Sequence, residues 1–307
     1  MYEVAPVLAS TIELLETARR SAYAIGAFNV YNLEGAMAVI RAAEVSQSPA
    51  MLQLHPTALH FGGTPVVALC LEAADSARVP IAVHLDHSNS AEDIRAALEA
   101  GMPSVMADGS HLPYAENLAF TRQMTVLAHS FGAAVEAEIG RISGTEDGLT
   151  VGELEAKMTD PKQAREFVAA TGVDALAVTI GNVHGKYRGE PRLDFARLER
   201  IRALVEIPLV LHGTSGLPAA MIDRAITLGV CKFNVNTEVR GAYLQALRDA
   251  FARKPAIDLL ELMEGGIAAM QASVTKMLIL FGSIGKAHLH DSPYSGLIRG
   301  RIGGVVH

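Results

Sequence analysis

Three histidines hold matching places in the chain. His87 closes Val83-His84-Leu85-Asp86-His87, His184 follows an apolar run in Gly181-Asn182-Val183-His184-Gly185, and His212 ends Leu209-Val210-Leu211-His212-Gly213. A single such imidazole is ordinarily a hydrogen-bonded core or rim residue. Three at the ends of three strands can converge, and three protein ligands with an open fourth position define a catalytic zinc site. Asp86 adjoins His87. A carboxylate beside a bound dication can take the proton of a hydroxyl that the metal polarises, which is general-base work; the alternative is to orient a ligand histidine. His84 shares the strand face of Asp86 and reads as support for the site.

Further carboxylates belong to the same pattern. Glu136-Ala137-Glu138 puts two on one face of a strand, and Asp108 opens Asp108-Gly109-Ser110. Buried like charges are costly without a counter-cation, so Glu138 and Asp108 read as partners that orient the ligands or as alternate metal ligands. Plain hydrogen-bonding roles stay open for both. Glu146, next to Asp147, lies in a connection, residues 140–160, that contains Gly140, Gly144, Gly148 and Gly152. A mobile loop there could deliver a second proton-transfer group. Two turns suit phosphate: His212-Gly213-Thr214-Ser215-Gly216 and Asn234-Val235-Asn236-Thr237-Glu238 each precede a helical pattern, offering backbone N–H groups and hydroxyls at its start. Lys232 and Lys186 could add positive charge to them.

What must position these residues is a repeated strand and helix. Short β-branched runs occupy residues 25–30, 50–55, 80–86, 104–107, 133–139, 175–180, 208–212 and 231–235. Between them apolar residues recur at helical spacing, as in 33–45, 66–77, 91–98 and 219–228. Helical crossovers imply parallel neighbours, and runs such as Ala175-Leu176-Ala177-Val178 are apolar on both faces. Strand starts recur about every 29 residues, the length of a βα unit, and no Gly-x-Gly-x-x-Gly opens the first unit. An α/β fold follows, a (β/α)8 TIM barrel, whose active site lies at the carboxyl ends of the strands. The domain expectation is a barrel with a C-terminal helix over residues 1–281, the helix at 259–280, and a tail over 282–307.

Composition agrees with an enzyme of small molecules. The 307 residues are 50% hydrophobic and 19% charged, with a formal net charge of −7. That excludes a disordered chain and a broad electrostatic grip on nucleic acid. An anionic ligand must then be held locally, by a metal, a helix start or a few placed side chains. Cys70 and Cys231 build neither a disulfide framework nor a Cys-rich zinc site. The first residues lack a signal-peptide pattern, and apolar stretches are broken by charges or glycines short of a membrane span, so a cytoplasmic location is expected.

The sequence resembles the class II, zinc-dependent fructose-bisphosphate and tagatose-bisphosphate aldolases from residue 26 to about 276. The resemblance is carried by Gly26-Ala27-Phe28-Asn29-Val30, His84-Leu85-Asp86-His87, Asp108-Gly109-Ser110, Glu136-Ala137-Glu138-Ile139-Gly140, Gly181-Asn182-Val183-His184-Gly185, Leu211-His212-Gly213-Thr214-Ser215-Gly216 and Asn234-Val235-Asn236-Thr237-Glu238. It implies that His87, His184 and His212 bind Zn2+, that Asp86 is the acid/base, and that Glu146 moves a second proton. It further implies that Gly185, Gly213, Thr214, Ser215, Asn234, Val235, Asn236 and Thr237 hold the dihydroxyacetone phosphate half. A monovalent cation (Na+ or K+) assisting near the phosphate and a homodimer or homotetramer are implied as well. The implied reaction is reversible cleavage of a ketose (bis)phosphate to dihydroxyacetone phosphate and an aldehyde through a zinc-stabilised enediolate.

Departures from that pattern concern the substrate. His55 in Gln53-Leu54-His55-Pro56 occupies a place commonly held by a small residue near the phosphate. Ala272-Ser273-Val274 stands where some members carry an arginine for the distal phosphate, and Ser143 replaces a loop glycine. A monophosphate or unphosphorylated aldehyde substrate is therefore expected, or the same retro-aldol on a deoxy-sugar-acid phosphate. A zinc-dependent barrel hydrolase would leave both phosphate-type turns without a role.

Overall fold

The computed structural model describes residues 8–146, 149–151, 157–185, 187 and 190–290. In chain order its strands are β1 (Ile25–Asn29), β2 (Ala50–Leu54), β3 (Ile81–Ser88), β4 (Ser104–Ala107), β5 (Ala134–Ile139), β6 (Ser143–Glu146), β7 (Leu149–Val151), β8 (Ala175–Val178), β9 (Val183–His184), β10 (Leu209–Leu211) and β11 (Val230–Val235). Eight of them close a parallel barrel in the order β1-β11-β10-β8-β5-β4-β3-β2, so each of the eight apolar runs of the sequence is a barrel stave. Helices α1 (Thr11–Arg20), α2 (Leu33–Val45), α3 (Pro56–Asp75), α4 (Ala91–Glu99), α5 (Tyr114–Ser130), α6 (Pro161–Thr171), α7 (Phe195–Leu204), α8 (Ala219–Thr227), α9 (Thr237–Arg253) and α10 (Leu259–Leu280) complete the described elements, with a final 3-10 turn at Ala287–His290. The protein is a (β/α)8 barrel.

The barrel interior is divided along its axis. Alternation of side chains puts Ala27, Met51, Ala82 and Val210 two residues before Asn29, Gln53, His84 and His212 on the same faces. The apolar set packs with Leu14, Leu15 and Ala18 of α1, which seals the amino-terminal end. The polar set fills the carboxyl end. Apolar filling below therefore gives the polar groups above a rigid floor.

Differences from the sequence reading have local causes. Helix α3 begins at Pro56, ten residues before the expected start, because His55 caps it and Pro56 is preset for a first turn. Gly63, at φ 58°, kinks it before the expected segment resumes. By length and composition α3 could cross a membrane, yet Val66, Val67, Cys70 and Ala74 are buried against the barrel. Where glycines suggest a mobile loop after β5, β6 and β7 form an antiparallel hairpin, and β6 pairs in parallel with β9. A bridge between Arg141 and Lys157 closes its base, with backbone bonds of 2.8 and 3.0 Å.

Residues 282–290 are joined to the barrel. Ser283 is buried and bonded to Ser48 at 2.8 Å, and the N–H groups of Gly285 and Ala287 donate to the carbonyls of Ser46 and Gln47. Phe281 at the end of α10 stacks on Phe233 with ring centroids 4.8 Å apart and 22° between planes. Gly26 permits this packing, since a Cβ there would lie 2.6 Å from the Phe28 ring and 3.2 Å from Phe281. Phe281→Ala should lower the unfolding free energy in a urea titration by ~3–5 kcal/mol, the cost of emptying a buried aromatic site. A loss under ~1 kcal/mol would show that α10 is not part of the cooperative core.

Candidate active site

The carboxyl ends of β3, β4, β5, β10 and β11 bring the sequence candidates together. In a regular strand Asp86 and His87 would face opposite sides. Here the β3–β4 register shifts between Leu85 and Ser88, and His87 adopts φ 29°, a conformation few non-glycine residues tolerate. Both side chains thereby reach the mouth.

Asp86 is buried and held at both oxygens. Asn29 donates to Oδ2 at 2.8 Å and Asn234 to Oδ1 at 2.9 Å. Burial alone would raise its pKa, but positive charge at His87, Lys232, His212 and His55 holds it down at about 2. The group stands ready as a carboxylate. The sequence reading gives Asn29 no role; its place at the end of β1, level with Gln53 and His84 in the barrel register, is the available signal.

His87 Nδ1 lies 2.6 Å from Asp108 Oδ2, and Asp108 Oδ1 accepts the backbone N–H of Ser110 at 3.0 Å. Asp108 thus stands behind His87 and fixes its ring, which leaves Nε2 for the mouth. Burial would raise the pKa of Asp108, but the His87 contact carries it well below the ordinary range. The His87 and His212 rings meet edge to face, centroids 4.5 Å apart. His212 Nε2 lies 2.9 Å from Glu136 Oε1 and its Nδ1 lies 3.2 Å from Glu138 Oε2. Against the cost of burial, neighbouring carboxylates raise the pKa of both histidines.

His87, Glu138 and His212 offer donor atoms that all lie within 4.8 Å of one another. Two imidazoles and a carboxylate aimed at one point are a borderline donor set suited to a divalent transition metal. Glu136, by contrast, with His84 at 3.8 Å and Lys232 at 2.9 Å, lies deeper. His84 is fully buried, bonds Ser104 Oγ through Nδ1 at 2.7 Å, and is kept neutral by burial, its pKa near 3. It supports the site from beneath. The expectation that Lys232 adds charge to a phosphate turn is corrected: its side chain is fully buried and paired with Glu136.

His184 and Glu146 lie on one small sheet, Gly144 pairing with His184 and Glu146 ending β6. Their side chains, with Asp147 and Lys186, lie outside the described residues.

The two phosphate-type turns are adjacent. Gly213, at φ 64°, approaches Val183 so closely that a Cβ would lie 2.4 Å from its carbonyl oxygen. Tyr187 clasps this contact, donating to the Gly213 carbonyl at 2.9 Å. Thr214 Oγ1 donates to the Asn234 carbonyl at 3.1 Å and Ser215 Oγ to Glu238 at 2.7 Å. Thr237 opens α9, and Asn236 before it is buried and accepts from Tyr31 at 3.0 Å. Asn234 faces inward, and Val235 ends β11 and Gly185 follows β9. His55, the cap of α3, has Nδ1 bonded to Thr57 Oγ1 at 2.9 Å, and Ser273 lies on α10.

The sequence model of the family described as Fructose-bisphosphate aldolase class-II matches residues 9–286. The chain belongs to the class II aldolases. This class II aldolase, a carbon–carbon lyase, is similar to a Coccidioides immitis protein assigned as a fructose-1,6-biphosphate aldolase: 39% identity over 91% of this chain and 98% of that one, TM-score 0.86. It is likewise similar to the YdjI aldolase of Escherichia coli K12: 37% identity, 91% and 99% covered, TM-score 0.81. A Campylobacter jejuni fructose-bisphosphate aldolase, 21% identical with TM-score 0.78, shares the fold. In this aldolase, Asp108→Ala should weaken metal binding in a chelator competition by ~10–100-fold, the usual cost of losing a partner behind a ligand histidine. Unchanged affinity would mean that Asp108 does not orient a ligand.

Proposed function

We propose that this aldolase is a zinc enzyme that reversibly cleaves a ketose phosphate into dihydroxyacetone phosphate and an aldehyde. The observation that carries the reading is Asp86, fixed at both oxygens by Asn29 and Asn234, beside the converging His87, Glu138 and His212. His87, His184 and His212 would hold the zinc, with Glu138 in reach as an alternate ligand. When bound, zinc would supply a Lewis acid that stabilises the negative charge developing on the substrate's carbonyl oxygen.

The residues of the chain handle the protons and the phosphate. Asp86, ionised and oriented, takes the proton of the C4 hydroxyl as the C3–C4 bond breaks, and returns it in synthesis. Glu146 moves the proton on the dihydroxyacetone phosphate carbon. Gly185, Gly213, Thr214, Ser215 and residues 234–237 cradle the phosphate with N–H groups and hydroxyls at the start of α9, the position after the last strands where barrels bind phosphate. A monovalent cation near this cradle, a cytoplasmic location and a homo-oligomer complete the reading. Ser273 stands where the resemblance puts an arginine for a distal phosphate and offers no guanidinium, and bulky His55 replaces a small residue near the phosphate; together they favour a monophosphate or unphosphorylated aldehyde.

Asp86→Ala should retain zinc, measured by metal analysis, and lose ~10²–10⁴ in cleavage rate; cleavage at the parental rate would remove Asp86 from the chemistry. Condensing dihydroxyacetone phosphate with glyceraldehyde and with glyceraldehyde 3-phosphate should give kcat/KM values within ~10-fold of each other. A preference for the phosphorylated aldehyde of ~10³ or more would reveal a distal phosphate site, since a lost charge-assisted pair costs that order of binding.

A further inference from the structure

We propose that Lys232 is a positioning residue that sets two functional groups at once: the amide of Asn234 that holds Asp86, and the imidazole of His212. The inference rests on the reading of Asp86 and His212 given above. Lys232 is fully buried, and its ammonium has three donors and no acceptor. They meet Glu136 Oε2 at 2.9 Å, Glu136 Oε1 at 3.2 Å and Asn234 Oδ1 at 2.6 Å. Asn234 and Glu136 lead to different parts of the site.

One branch runs to the acid/base. The oxygen and nitrogen of an amide are nearly equal in size, so only its partners decide which way it faces. Lys232 claims Oδ1 of Asn234, and Nδ2 then faces Asp86 Oδ1 at 2.9 Å. Turned over, Asn234 would set a carbonyl oxygen against a buried carboxylate and remove one of its two amide donors.

The other branch runs to His212. Glu136 Oε1 is shared between Lys232 and His212 Nε2, which lies 2.9 Å away. A carboxylate can only accept, so the imidazole keeps a proton at Nε2; Nδ1, 3.2 Å from Glu138 Oε2, is the nitrogen that would exchange its proton for a metal held between them. Lys232 balances the buried charge of Glu136 and keeps it an acceptor there, since an uncompensated buried carboxylate is strongly disfavoured. One ammonium therefore links a metal ligand to the general base, although it touches neither.

Lys232→Met keeps length and burial while removing charge and donors. Zinc affinity in a chelator competition should fall at least ~10-fold. With zinc saturating, kcat for condensing dihydroxyacetone phosphate with the better of glyceraldehyde and its 3-phosphate should also fall at least ~10-fold, while KM moves less than ~3-fold. Glu136→Gln should reproduce the loss of zinc affinity and Asn234→Ala the loss of kcat, so Lys232→Met combines what each does alone. A folded Lys232→Met protein with either quantity unchanged overturns the proposal.

If Lys232→Met does not fold, the pair Glu136→Gln with Lys232→Met leaves no uncompensated charge, and kcat at saturating zinc should still be down ~10-fold; recovery to within ~3-fold overturns it. In the unsubstituted zinc-loaded protein, ¹⁵N shifts of His212 should report a proton on Nε2 and none on Nδ1, and an Nε2 without a proton overturns the His212 branch. Retained turnover in Asp86→Ala would defeat the reading of the site instead, leaving the zinc affinity and the ¹⁵N shifts to judge the coupling.

Discussion

Charge buried in the carboxyl half of the barrel is the constraint on which the remainder of the site depends. Asp86, Glu136 and Glu138 are nearly or wholly removed from water, and so are His84, His212 and Lys232. Ions of one sign cannot share a low-dielectric interior unless the opposite sign meets them with good geometry. Lys232 compensates Glu136, and the amides of Asn29 and Asn234 satisfy Asp86. Glu138, facing His212 Nδ1 at 3.2 Å near His87, belongs to a donor group that could hold a dication to complete the balance. The net charge of −7 is thus compatible with an anionic substrate, because the positive charge is local.

Rigidity beneath the site makes that geometry affordable. The apolar lower half of the interior, sealed by α1, fixes the staves, and their carboxyl ends inherit the fixed spacing of a closed sheet. Upon that base one irregularity is tolerated, the turn of backbone at His87 with φ 29°. Strain of this kind persists where surrounding structure over-determines it. Asp108 behind His87 and the packed His212 ring in front of it do so.

Much of this was legible in the chain. All eight staves follow from apolar runs bounded by turn residues, and α2 and α10 come from spacing alone. Asp108 and Glu138 could be named together as metal-associated carboxylates, but not told apart. Separating them required knowing that Asp108 faces the far nitrogen of His87 while Glu138 faces His212. Lys232 was misread for a related reason. Strand alternation places it inward with Asn234, yet a lysine near a phosphate-type turn reads as a ligand until its carboxylate partner, 96 residues away in sequence, is known. The hairpin of β6 and β7 was obscured by glycines, whose freedom signals a loop although the intervening residues pair across the barrel rim.

The central claim, that the barrel mouth is built around a dication between His87 and His212 with Asp86 alongside, is tested most directly by diffraction from zinc-loaded crystals at the zinc absorption edge. A single strong anomalous peak about 2.0–2.1 Å from a nitrogen of each histidine is the result predicted. Fully active, zinc-dependent enzyme whose anomalous peak lies away from His87 and His212 would contradict it.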